Sequence, residues 1–441
     1  MKYHKTLILL FLISFKISFS QNNTNQLTKN EKIETVNAVG KVIIENYIFP
    51  EIADKIAHLI YDKLKKGEYN SIKDPKEFAS KLTKDVQSLN GDKHLRVFYE
   101  PKNNAPQKMD ISEEDRKNSE EKMKEMERRD NYTFKEVNVL DGNIGYINLR
   151  GFRDPEFASE TALSAISFLK NTDAIIFDLR NNGGGYPQMV QLISSYFFEG
   201  DPVHLNSFYT RKENKTKQFW TLPYVPGKRL PNVQLYILTS SSTFSAAEEF
   251  AYNLKHLNRA VIVGENTGGG AHPGGSIYAT DYYKVWTPTG RAINPITNTN
   301  WEGIGVIPHI KTSKKDALLA ARLKALDSLK SVNKNSLQND FYDWHIGTLK
   351  AIQTPLKVSL SLLNSYVGTY GDLTISLEND VLFYQRGSAS KLKLTPIDNT
   401  SFQYGELTDV RIVFLKIKDK VNALMTKNVY GRSDTYKKNK K

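Results

Sequence analysis

Residues 238–255, LTSSSTFSAAEEFAYNLK, decide how this chain is read. The apolar run that leads into them, VQLYI (233–237), has the length and residue types of a buried strand, and the run after Ser245 carries helical periodicity. Ser240, Ser241, Ser242 and Ser245 occupy the junction. A serine at a strand-to-helix turn can stand exposed as a nucleophile. Ser245 and Glu248 also spell a capping box, in which the hydroxyl only ties off a helix. The two readings separate an enzyme from an inert scaffold, and the rest of the chain has to choose between them.

Around this junction the pattern is α/β from about 135 to 335. GYINLRGF (145–152), DAIIFDLR (173–180) and RAVIVGE (259–265) read as strands, PQMVQLISSYFF (187–198) and KKDALLAARLKALDSL (314–329) as helices. Glycines cluster just after strands, at NNGGG (181–185) and TGGGAHPGG (267–275). Upstream, residues 27–100 predict a small helical domain. Ile33, Val36, Ile43 and Tyr47 recur at helical spacing, Pro50 marks a break, and Ile52, Ile56, Leu59 and Ile60 form a second face. Asp74 and Pro75 open a third helix that Asn90-Gly91 stops. Residues 101–134 form a charged linker, with Glu and Lys at spacings that suit an exposed helix. From 358 to 441 the period switches to two, with Leu373, Ile375 and Leu377 on one side and Thr374 and Ser376 on the other, which predicts a small antiparallel β domain.

The 441 residues carry a formal charge of +13, are 39% hydrophobic and 25% charged, and include no cysteine. That excludes disulfides, thiolate metal sites and a cysteine nucleophile. Residues 1–20 read as a signal peptide: Lys2 and Lys5, then an apolar TLILLFLISF, then SFS before Gln21. The expected location is a periplasm or the extracellular space, with no stable membrane insertion because Lys16 interrupts the only long apolar run. Basic residues are spread along the chain without an aromatic-interleaved stripe, so no nucleic-acid partner is expected. Nothing in the sequence sets the oligomeric state.

The chemistry narrows by elimination. G-x-S-x-G, H-E-x-x-H and P-loop motifs are all missing, and Pro273 breaks the dinucleotide pattern in the second glycine cluster. No cofactor and no metal are expected. DLRNNGGG lets backbone amides converge on an anion, and Ser245 at a helix N-terminus feels the positive end of the dipole. Ala246 supplies one candidate oxyanion amide and the glycine turn another. A serine still needs a base, and the residues alone leave His94, His272 and His309 open.

DLRNNGGG, LTSSSTFSAAEEFA, VIVGENTGGGAHPGG and INPITNTNWEGIGVIPHI, in that order, resemble the serine-peptidase family of the carboxyl-terminal processing proteases and the tricorn protease core, whose fold is crotonase-like (ClpP/crotonase). The chain is most similar to the branch related to interphotoreceptor retinoid-binding protein, with a helical N-terminal domain ending in D-x-H-L, here DKHL (92–95), and no PDZ module. The resemblance implies Ser245 as nucleophile, His94 as general base and Glu302 as the acid that orients it. It also implies an oxyanion hole from Gly184, Gly185 and Ala246, and a peptide or protein substrate. It departs from the pattern in three places. Gly270 stands where the processing proteases carry the lysine of a serine–lysine dyad, Lys93 replaces the serine that precedes the tricorn histidine, and His309 replaces an aspartate. The same scaffold without catalysis, as a ligand-binding protein, is the alternative.

Overall fold

The structure is a computed structural model that describes residues 26–101, 113–418 and 420–439. The expected signal segment, 1–20, and the first part of the charged linker lie outside the described residues.

Three helices open the chain: α1 (Lys29–Asn46), α2 (Pro50–Lys65) and α3 (Pro75–Gln87). Thr28 and Glu31 make a reciprocal capping box on α1, and Asp74 caps α3 ahead of a proline at the first helical position. The buried stripe of α1 is rotated from the one its apolar spacing suggests. Lys32, Thr35, Val36, Val39 and Ile43 face inward, while Ile33 is left exposed. Lys32 tolerates burial because its ammonium donates to the carbonyls of Tyr69 and Asn70, both at 3.0 Å.

This helical unit does not close on itself. Strand β1 (Arg96–Tyr99) follows α3, and its partner lies far downstream: Val97 sits opposite Val285 in an antiparallel sheet. Val36, Ile43, Ile60, Phe78 and Leu82 share one core with Tyr283 and Val285. The boundary expected near residue 100 is therefore stitched over by a sheet. Within the linker, α4 (Glu113–Arg129) forms an exposed charged helix, braced by Glu125 with Arg128 and Arg129.

The central layer is a six-stranded sheet. Its strands are β2 (Phe134–Leu140), β3 (Ile144–Leu149), β4 (Ala174–Asp178), β7 (Gln234–Thr239), β8 (Val261–Gly264) and β12 (Ile310–Lys311), in the order β12-β8-β7-β4-β3-β2. All neighbours are parallel except the β2–β3 edge pair. Helices α5 (Pro155–Phe168), α6 (Pro187–Ser195) and α7 (Ala246–His256) cover one face, with Phe152, Phe177, Ile237 and Phe250 in the shared core. Helices α8 (Ala317–Val332) and α9 (Ser336–Gln353) cover the other, packing Ala321, Ala325 and Ile346 on Ile144 and Tyr236. Burial on both faces is why these strands read as continuous apolar runs rather than alternating ones.

Two smaller sheets flank the core. One joins β5 (His204–Thr210) and β6 (Lys215–Trp220) to β11 (Gly290–Ile293); the other joins β9 (Gly274–Tyr278) and β10 (Tyr283–Pro288) to β1. After α10 (Leu360–Tyr366) comes an eight-stranded antiparallel meander. It comprises β13 (Gly368–Tyr370), β14 (Leu373–Glu378), β15 (Val381–Arg386), β16 (Leu392–Pro396), β17 (Ser401–Tyr404), β18 (Val410–Ile417), β19 (Lys420–Asn428) and β20 (Ser433–Lys437). A bridge between Tyr370 and Lys438 brings its two ends together over a core of Tyr366, Tyr370, Phe402 and Phe414. Arg411, lying 4.0 Å over the Trp344 ring, ties this unit to α9. No helix among the described residues is long and apolar enough to cross a membrane.

Candidate active site

Ser245 ends the β7-to-α7 turn with φ 56° and ψ −124°, a conformation that side-chain-bearing residues rarely adopt. Such a backbone costs about 1–3 kcal/mol and persists only where its surroundings hold it. Three contacts do so. The Ser245 amide donates to Glu248 Oε2 at 2.9 Å, the Phe244 amide donates to the Asn182 carbonyl at 3.0 Å, and Gly184 presses against Ser245 from the neighbouring turn. A β-carbon on Gly184, whose φ is +105°, would lie 2.7 Å from Ser245 Cβ. The capping box is present, but its strong arm is the Glu248 carboxylate; the Ser245 hydroxyl makes no ordinary cap hydrogen bond. Ser240, by contrast, is a turn residue whose hydroxyl donates to the Arg180 carbonyl at 2.5 Å.

Glu248 is fully buried and works as a hub. Besides the Ser245 amide it accepts from the amides of Gly269 and Gly270, at 2.6 and 2.9 Å, and from Thr267 Oγ1 at 2.5 Å. Burial raises its carboxyl above the usual range, and these four donors oppose that rise. The hub fixes the second glycine turn against the serine turn.

The three expected oxyanion amides are not equivalent. The Gly184 N–H is already taken, donating to Asn182 Oδ1 at 2.9 Å, while Asn182 Nδ2 donates to the Leu149 carbonyl at 3.0 Å. Among the described residues, the amides of Gly185 and Ala246 donate no intramolecular hydrogen bond. Gly184 shapes the turn, and the two open donors are its neighbours. Asn182, buried and bonded to both sides of the junction, went unnoticed in the sequence because nothing distinguishes it there from a turn asparagine.

His94 reaches the serine turn from the helical unit. Its ring centroid is 4.6 Å from that of Phe244, the residue before Ser245. Gly270 makes the room, since a β-carbon there would fall 2.3 Å from Phe244 Cζ and 2.7 Å from His94 Cε1. The space beside Gly270 is thus taken up by the rings of Phe244 and His94. His94 makes no hydrogen bond to Ser245 in this state, and its buried Nδ1 has no protein partner. Burial pushes its imidazole down to about 4, against the pull of the Asp92 carboxylate, so at neutral pH the ring is uncharged.

Glu302 meets a different histidine. His272 Nδ1 lies 2.8 Å from Asp92 Oδ2 and 3.5 Å from Glu302 Oε2. Asp92 also accepts from the Tyr47 hydroxyl at 2.9 Å and, through Oδ1, from the His94 amide at 3.0 Å. Glu302 Oε2 accepts from the Ala271 amide at 2.5 Å, and its Oε1 is buried without a protein partner. Burial, with the nearby Asp92 charge, pushes Glu302 up to about 7. Asp92, His272 and Glu302 each bring a ligand-type atom within 4.8 Å of the others. The three side chains meet at His272 Nδ1, which lies nearer to Asp92 than to Glu302. His309 is elsewhere: its Nδ1 accepts from the Ile262 amide at 2.9 Å, which pins it to the β8 edge.

The sequence pattern described as Peptidase family S41 matches residues 143–312, and that described as the N-terminal domain of Peptidase_S41 in eukaryotic IRBP matches residues 27–141. The carboxy-terminal processing protease CtpB of Bacillus subtilis is 28% identical over 205 residues, covering 44% of this chain and 39% of CtpB. The chain therefore spans well under half the length of that relative. Among solved structures, the photosystem II D1 C-terminal processing protease is 15% identical with a TM-score of 0.42, covering 66% of this chain and 94% of that one. The tricorn protease is 13% identical with a TM-score of 0.44, covering 68% and 37%.

Proposed function

This chain belongs to peptidase family S41, a serine-peptidase family, and on that premise we propose that it is an exported serine endopeptidase with a crotonase-like core. The observation that carries this reading is the convergence at one turn of a strained Ser245, the open amides of Gly185 and Ala246, and the uncharged His94 ring seated on Phe244. His94 takes the Ser245 Oγ proton as the oxygen attacks the peptide carbonyl. The oxyanion then settles against the two amides. Collapse of the tetrahedral intermediate returns the proton to the leaving amine and leaves an acyl-enzyme, which water hydrolyses with His94 again as base. His94 Nδ1 and Glu302 Oε1 are both buried without a protein partner, and both are free to enter a polar link between base and acid. Glu302 is the acid of the reading, orienting the base from the far side of the ring.

Export rests on residues 1–20 of the sequence. The test is a fluorophosphonate probe and a peptide-hydrolysis assay on wild type and Ser245→Ala. The expected result is labelling at Ser245 and a fall in kcat on the order of 10⁴-fold or more in the variant. A Ser245→Ala protein that hydrolyses peptides at the wild-type rate, or a Ser245 that never labels, returns the chain to a ligand-binding role.

A further inference from the structure

Among buried polar groups with no part in the steps above, His272 has the most telling position. Its ring bridges two parts of the chain that meet only in the folded state. Asp92 lies on the loop that carries His94, and Glu302 lies 210 residues further on, in the segment before β12. Phe49, at the start of α2, packs edge-on against the ring at 5.4 Å, and Tyr47 meets the same Asp92 oxygen that His272 does. The titratable groups in contact with it or with its two carboxylates are Tyr47, Asp92, His94 and Glu302; Arg96 acts on His94, and Glu248 on Glu302.

We propose that His272 is a positioning residue for the peptidase reaction: its ring, bonded to Asp92 at 2.8 Å with Glu302 beside the same nitrogen at 3.5 Å, latches the His94 loop onto the core and holds Glu302 in place next to it. The inference rests on the function proposed above. Asp92 holds the His94 backbone directly, through its amide, so the latch acts on the base without touching substrate. Two buried carboxylates repel each other, and an N–H between them is what lets them share the site. Glu302 rises to about 7 even with His272 holding it down, so removing the imidazole sends it higher still. The sign follows: if catalysis needs ionised Glu302, losing His272 moves the acid limb of kcat/KM towards higher pH.

Geometry supplies a discriminating series. Asparagine carries an amide N–H where Nδ1 sits, glutamine carries it where Nε2 sits, and leucine carries none. His272→Leu is expected to lower kcat by about 10²-fold, the scale for a misplaced catalytic group, with KM little changed. Its acid limb should move up by a pH unit or more. His272→Asn should recover most of kcat, and His272→Gln should not. Equal behaviour of the Asn and Gln variants, or a Leu variant with lowered Tm but an unmoved pH profile, overturns the proposal. So does activity that is lost on chelation and restored by zinc, which would make the cluster a metal site. A second readout is independent of turnover: NMR titration of the His94 ring in Ser245→Ala, with and without His272→Leu. A shifted His94 titration supports the latch even if the chain is no peptidase, and an unshifted one overturns it even if it is.

Discussion

The imidazole of His94 leans on the ring of Phe244 at 4.6 Å between centroids and 41° between planes. Phe244 adjoins Ser245 in sequence, so the aromatic contact sets the separation of His94 from Ser245, the proposed base and nucleophile, although they come from different parts of the chain. Removing that ring should cost positioning more than binding. Phe244→Ala is expected to lower kcat 10- to 100-fold, on the order expected for a catalytic group displaced by about an ångström, with KM changed far less. Phe244→Leu should retain more of the rate because it conserves volume. Steady-state kinetics on a peptide substrate check both.

Gly270 keeps the space in which that contact forms. Gly270→Ala puts a methyl group against Phe244 Cζ and His94 Cε1, at separations no real β-carbon tolerates. The expected outcome is a loss of activity on the order of 10²-fold with the fold retained, since the clash is with side-chain tips. Gly270→Lys should not install a serine–lysine dyad while His94 and Phe244 remain. An active Gly270→Lys variant that no longer needs His94 would show the opposite, and the double variant with His94→Ala reads this out.

Glu249 offers a stability test away from the chemistry. It is completely enclosed, and burial pushes its carboxyl up to about 8. Its Oε1 accepts from Asn206 Nδ2 at 3.4 Å, and Asn206 is itself completely buried. Between the unfolded value near 4.5 and the folded value near 8 the native chain holds a proton the unfolded chain has released. This residue therefore makes the protein less stable as pH rises through that window. Glu249→Gln keeps the shape and removes the titration. The variant should match wild type near pH 4.5 and exceed it by about 4 kcal/mol near pH 8. Denaturant melts at the two pH values check it, and a constant offset would refute it.

Much of the candidate site is legible in the sequence because its parts are local. Ser245, the DKHL loop, the two glycine turns and Glu302 each sit in a short motif with its own spacing, and the sheet strands announced themselves as apolar runs. What the sequence concealed are pairings. Nothing in ARG-VAL-PHE-TYR at 96–99 points to residues 283–286, because a strand's partner is a property of the whole fold. His272 and His94 looked like rival bases, and only the fold shows one on Phe244 and the other between two carboxylates. The amide of Gly184 looked as available as its neighbours until Asn182 was seen to occupy it. Helix α9 is harder to read from the sequence because its buried side mixes Tyr342, Trp344, His345 and Thr348 with Ile346, Leu349 and Ala351, so no clean apolar stripe stands out.

The sheet that joins β1 to β10 also sets a clock. The helices that carry His94 leave the ribosome early, yet the strand they need arrives about 190 residues later, roughly 10–40 s at ordinary rates of synthesis. Until then the helical segment lacks part of its core and the histidine has no serine to face. If the proposed chemistry holds, a site that needs this distant strand stays unassembled, and so inactive, for most of the time the chain is being made.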